Sequence, residues 1–210
     1  MITNFPLKNF ADEIRREYLA AFSKHMQSVA GQPLYATDLI VFGIMDRGIG
    51  LVEAMPQLLA DKNIHAFAPL LRVQLDSLLR LHAFRIVQSR EDLARHVISG
   101  KSLRDFKGME GNRLTDRHLV NSLKNELPWV EQMYDSLCGW VHFSESHVFA
   151  AASECAEQQT IQVGIGSYRT SLKSELIEEA TQATKAIHEA IISVVEAYFA
   201  LPRGPVVAQQ

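Results

Sequence analysis

One segment restricts the architecture of this chain more than any other: residues 64–87, IHAFAPLLRVQLDSLLRLHAFRIV, are apolar almost throughout. At about 100° per residue, Arg72, Asp76 and Arg80 stand at i, i+4 and i+8 and form one charged stripe on a helix that is apolar around the rest of its girth. A helix of that kind is buried among other elements. Its charged stripe then needs partners, because an isolated charge in an apolar interior costs several kcal/mol. The segment therefore predicts a helical fold built around a central helix, with a polar site inside it.

Composition agrees with that architecture. The chain has 210 residues, 47% of them hydrophobic and 21% charged, enough for one domain with a full core. Glycine and proline are sparse, at 11 and 7, which favours helices over a turn-rich β-sandwich. The two cysteines, Cys138 and Cys155, form no CxxC motif, so a disulfide framework or structural zinc site lacks support and a cytoplasmic, reducing location is expected. The first residues lack the basic-then-apolar order of a signal peptide, and the apolar runs are interrupted by charges too often to predict a membrane span. Net charge is −3, but residues 72–124 hold eleven Lys/Arg against six Asp/Glu. That basic middle reads either as a footprint for RNA or another anionic ligand, or as ordinary solvated helix faces.

Read in order, residues 9–29 place Phe10, Ile14, Tyr18, Phe22 and Met26 at the four-residue spacing of an amphipathic helix. Residues 35–62 form a second helical region, with Thr37 or Asp38 as N-cap. Three glycines in GIMDRGIG mark close helix contact there, and Pro56 and Pro69 each threaten a break. A short polar helix follows over 90–98, then a loop over 101–112 with one helical turn at 103–106. A helix over 115–126 starts with a threonine cap, and Pro128 opens another. Residues 153–167 are non-helical, with 160–165 alternating as a short strand does. Residues 171–201 make a long closing helix whose apolar second half is either core or a dimer face. Residues 202–210 are a tail after a single helical domain over 1–201.

Residues 129–152, WVEQMYDSLCGWVHFSESHVFAAA, carry the second polar row. If the segment is helical throughout, Tyr134, Cys138, His142 and Glu145 share one stripe that faces Arg72, Asp76 and Arg80. Alternatively Ser144 caps a new helix starting at Glu145, which removes Glu145 from the row and leaves His142 at a helix end. Either reading expects Tyr134 and His142 to stay together. No Glu-x-x-His pair exists for a di-iron bundle, His142 and His147 are misplaced for a zinc pair, and there is no Walker or Gly-x-Gly-x-x-Gly loop. No metal and no cofactor is expected.

The two segments together, Arg72-x3-Asp76 and then Tyr134-x2-Leu137-Cys138-x3-His142-x-Ser144, resemble an uncharacterised bacterial all-α family with the pattern Arg-x3-Glu/Asp and Tyr-x2-Leu-Ser-x3-His-x-Ser. The resemblance covers residues 41–148. That family is similar in helical layout to HEPN domains. It implies a dimeric helical bundle and, in active members, metal-independent RNA cleavage by an Arg-x4–6-His motif in toxin–antitoxin or phage-defence systems. The motif's arginine is missing here, since Asp135, Ser136 and Leu137 occupy the positions before His142. Arg90-x5-His96 and Arg113-x4-His118 match the spacing, but about 1.5 such matches arise by chance in a chain with thirteen Arg and eight His.

The expected fold is thus an all-α, HEPN-like bundle of about six or seven helices with a short extended segment before the C-terminal helix. For an endoribonuclease the resemblance implies His142 as acid or base, Arg80 replacing the missing arginine and Tyr134 orienting either. Arg72, Asp76 and Glu145 would contact substrate. The partners expected are RNA or another anion, an antitoxin and a second copy through the C-terminal helix. The other class is a non-catalytic helical binding or regulatory module in which the same cluster only fixes helix register.

Overall fold

The computed structural model describes residues 6–155, 160–166 and 174–201. Eight α-helices are present among them: α1 (Pro6–Ser28), α2 (Ala36–Ala60), α3 (Ile64–Ala83), α4 (Arg90–Ile98), α5 (Asp116–Leu123), α6 (Val130–Val141), α7 (Glu145–Ala150) and α8 (Ser174–Phe199). A single 3₁₀ turn, Leu103–Asp105, lies in the α4–α5 loop. Two short strands, β1 (Ala152–Cys155) and β2 (Thr160–Val163), pair antiparallel with Ala152 opposite Val163 and Cys155 opposite Thr160. The fold is therefore helical, with its extended excursion where residues 160–165 alternate. Among the described residues no helix is long and apolar enough to cross a membrane. The expected tail over 202–210 lies outside the described residues.

The apolar girth of α3 puts it at the centre, where it packs against α2, α5, α6 and α8. Leu75, Leu78, Leu79 and Ala83 are fully buried there, with Phe67, Leu71 and Leu81 nearly so. Asn63 caps the helix by accepting a hydrogen bond from the Ala66 N–H. Both prolines are accommodated without ending a helix: Pro56 sits in the last turns of α2 and Pro69 in the second turn of α3. Each forfeits one backbone bond near a helix end, where packing of the surrounding apolar faces holds the helix together.

Two carboxylates fasten the start of α2. Asp38 stands at its third position, not at the cap, and accepts from the Tyr35 N–H (2.8 Å) and the Tyr198 hydroxyl (2.8 Å). Glu91, from α4, accepts from the Ala36 and Thr37 N–H groups at 2.9 and 3.2 Å. Both put negative charge where the helix dipole favours it, and they tie α2 to α4 and α8.

The helix count exceeds six or seven because residues 129–152 do not run as one helix. His142 is the C-cap of α6 with extended backbone (φ −100°, ψ 146°). Ser144 holds the break: its hydroxyl donates to the Gly139 carbonyl (2.7 Å) and its N–H to Nδ1 of His147 (3.3 Å). At the other end of the chain, the apolar half of α8 is core. Ile187, Ile191 and Val195 are fully buried, and α8 packs against α1 and α3.

Candidate functional site

The charged stripe of α3 is partly buried, with the side chains of Arg72, Asp76 and Arg80 exposed by 12, 21 and 24%. Its chief partner is Asp116, the first residue of α5, whose N-cap Thr115 accepts from the His118 N–H. Arg72 donates to one oxygen of Asp116 at 2.9 Å and Arg80 to the other at 2.7 Å. Arg80 also donates to Asp76 at 2.6 Å, and Arg47 of α2 approaches the second Asp76 oxygen at 3.6 Å. Burial raises the Asp116 pKa, but the two guanidiniums outweigh it and hold the carboxyl below its ordinary value. The cluster thus clasps α2, α3 and α5 through matched charges.

Tyr134 of α6 closes the cluster. Its ring lies under the Arg72 guanidinium, 4.5 Å from the centroid, with Arg117 on it at 5.3 Å. Arg117 in turn donates to Asp135 at 2.6 Å, which links α5 to α6. Desolvation first, then Cys138 and Asp116, pushes the Tyr134 hydroxyl up, so it stays a neutral phenol.

Four of the six residues expected from the sequence therefore come together: Arg72, Asp76, Arg80 and Tyr134. His142 and Glu145 do not join them. His142 is the C-cap of α6 and Glu145 opens α7; both are exposed. Among the described residues the His142 ring takes part in no hydrogen bond or ion pair. The break falls after His142, as expected if Ser144 starts a new helix at Glu145: Glu145 leaves the row and His142 stands exposed at the helix end. Asp116 and Arg47 are the members that the sequence reading did not include. A first-turn acid behind a threonine cap is visible in the sequence, but nothing local says that it meets α3.

The eleven basic residues of the middle of the chain fall into two groups, apart from Arg90, which donates to the Phe84 carbonyl at 3.2 Å. Arg72, Arg80, Arg85, Arg95, Arg117 and Lys124 each meet a carboxylate. Lys101, Arg104, Lys107 and Arg113 are exposed in the α4–α5 loop.

A second feature adjoins the cluster through α6. Between α3, α6 and the first half of α8 runs an open groove of about 280 Å³. Ile64, Phe67 and Leu71 form one wall, and Trp129, Met133 and Trp140 the other. The small side chains of Ala68, Ala180 and Ala183 leave the space, and Gln132, Ser136 and Glu179 supply its polar groups. At one end Trp140 stands edge-on to His65 (5.7 Å between centroids), and His65 stacks on His147. Desolvation and the neighbouring His147 both lower the His65 pKa.

Comparison with protein-family models, with curated proteins and with solved structures found no match. The chemistry of this site therefore rests on its own residues. Among the described residues no group of His, Cys, Asp and Glu is arranged to hold a metal ion.

Proposed function

We propose that this chain is a helical binding module whose arginine–aspartate cluster is a structural clasp and whose ligand site is the groove between α3, α6 and α8. The observation that carries the proposal is the contrast between the two features. The guanidiniums of Arg72 and Arg80 are engaged by Asp76 and Asp116, which leaves them poor receptors for a phosphate. The groove instead offers aromatic walls, an alanine floor and one carboxylate, at about the lower volume limit of small-molecule sites. Its occupant is a small aromatic amine, with the ring against Trp129 and Trp140 and the ammonium toward Glu179.

Trp129 and Trp140 are the only two tryptophans of the chain, so intrinsic fluorescence reports the groove directly. Titration with 2-phenylethylamine is expected to give a saturable change. Phenylacetate should bind several-fold more weakly, and Glu179→Gln should erase that preference. Ala183→Leu, which fills the floor, should abolish the change in a protein of unaltered helicity. Absence of any saturable response would remove the groove from consideration.

A second proposal, metal-independent RNA cleavage of the toxin or phage-defence kind, is favoured by the ring of His142, which is exposed and without a hydrogen-bond partner among the described residues. Labelled RNA incubated with the protein in EDTA tests it. Cuts that disappear in folded His142→Ala protein would displace the binding-module reading.

A further inference from the structure

The β1–β2 hairpin presents an edge that suits a second copy of itself. The Gly164 N–H donates to the Ala151 carbonyl at 3.1 Å, so residues 164 and 151 occupy a hydrogen-bonded position of the ladder, closed by this one bond while the Ala151 N–H goes to Val148. In an antiparallel ladder such pairs alternate along the strand, so Gln162, two residues back, also directs its backbone groups at β1. The N–H and C=O groups of Ile161 and Val163 then point away from β1, toward the outer edge of β2. Among the described residues β2 pairs only with β1.

The side chains agree with the backbone. Ile161 and Val163 lie two apart, hence on one face of the strand, and are 71% and 70% exposed; Ile165 beyond them is 97% exposed. Strand β2, Thr-Ile-Gln-Val, is short but carries no charge and no proline, two of the devices by which sheet edges avoid pairing. An isolated two-stranded hairpin is marginal in water, and further strands stabilise it.

We propose that two copies of this chain associate through β2, antiparallel about a two-fold axis at Gln162. A two-fold interface brings the same patch of each copy together, and an antiparallel strand pair has that symmetry. In this register Ile161 of one copy stands opposite Val163 of the other, and each such pair exchanges both its outward backbone hydrogen bonds. The two Gln162 residues face each other at a non-hydrogen-bonded position, where the Cα atoms approach most closely. Apolar β-branched residues meet across the junction with no like charges opposed. The hydrogen bonds come from main chain, and the uncharged sequence removes the repulsion that would otherwise oppose a copy of the same strand.

Sedimentation velocity over a range of concentrations is the first test, with wild type expected to pass from monomer to dimer. Val163→Lys and Ile161→Lys each place like charges in the junction and should leave a monomer, with helicity by circular dichroism unchanged. Two substitutions at independent positions keep the test valid if one disturbs folding. Register is tested in a Cys138→Ser, Cys155→Ser background, where Gln162→Cys should give a disulfide-linked dimer under mild oxidation and Ile161→Cys should give far less. A wild type that stays monomeric at high concentration overturns the proposal. So does a dimer that survives both lysine substitutions, or one that links through position 161 in preference to 162.

Discussion

Asp116 shows how much one carboxylate can organise. It is bonded to two arginines from α3 and is the only acid contributed to the clasp by α5. Asp116→Asn would leave Arg72 and Arg80 facing Asp76 alone. The expected cost is about 1–3 kcal/mol, between the values for exposed and buried ion pairs, read by chemical denaturation at neutral pH. Because the folded pKa is depressed, this stabilisation is fully present above the unfolded value near 3.8 and is lost as pH falls through the folded one. The variant should therefore lose less stability than wild type in that acid range. His188 acts in a different window. Its Nδ1 lies 3.2 Å from the Tyr18 hydroxyl, and burial lowers its pKa to about 3 from 6.5. The unfolded chain takes up this proton between pH 6.5 and about 3 while the folded one does not. Stability from a neutral His188 is thus full above pH 6.5 and falls by up to about 1.4 kcal/mol per pH unit below it. Urea midpoints at pH 7, 5.5 and 4.5 should show this slope in wild type and a flatter one in His188→Gln.

At the scale of elements, the three glycines of α2 divide by what surrounds them. A Cβ on Gly48 would stand 3.0 Å from the ring and hydroxyl of Tyr18, which is fully buried and bonded to His188 and so has no room to yield. Gly43 and Gly50 have nothing within 4 Å. Gly48→Ala is expected to destabilise by about 1–2 kcal/mol through overpacking. Gly43→Ala and Gly50→Ala should each stabilise by up to about 1 kcal/mol through helix propensity. Thermal melts of the three variants decide the matter. The glycine run was legible as a sign of close helix contact; which glycine makes the contact depends on where Tyr18 of α1 lies.

For the whole molecule the decisive arrangement is α3 surrounded by α2, α5, α6 and α8. The apolar half of α8, open in the sequence to either core or dimer face, closes that arrangement. Ile191→Ala should therefore lower stability by about 2–5 kcal/mol through a cavity, with the sedimentation behaviour of the folded protein unchanged. A stripe used only between copies would show the reverse, dissociation with little loss of stability. The helical character, the buried central helix and its need for charged partners were all readable in advance, as were the short extended segment and most helix starts.

Those features were readable because they are local or periodic. Hydrophobic spacing sets helix against strand, and capping residues such as Thr115 mark boundaries within a turn. A buried row of charges demands partners whatever the topology. Tertiary structure alone decided who the partners are. Asp116 reaches Arg72 across forty-four positions of sequence and Arg80 across thirty-six, because α5 packs on α3. The sequence left two courses open for residues 129–152; the Ser144 hydroxyl on the Gly139 carbonyl goes with the one in which a new helix starts at Glu145, so Glu145 leaves the row and His142 ends α6. The groove is a tertiary feature too, for its alanine floor comes from α3 and α8 and its tryptophan wall from α6. Residue pattern along one helix specifies which side chains share a face; the packing of that face against others specifies what they touch.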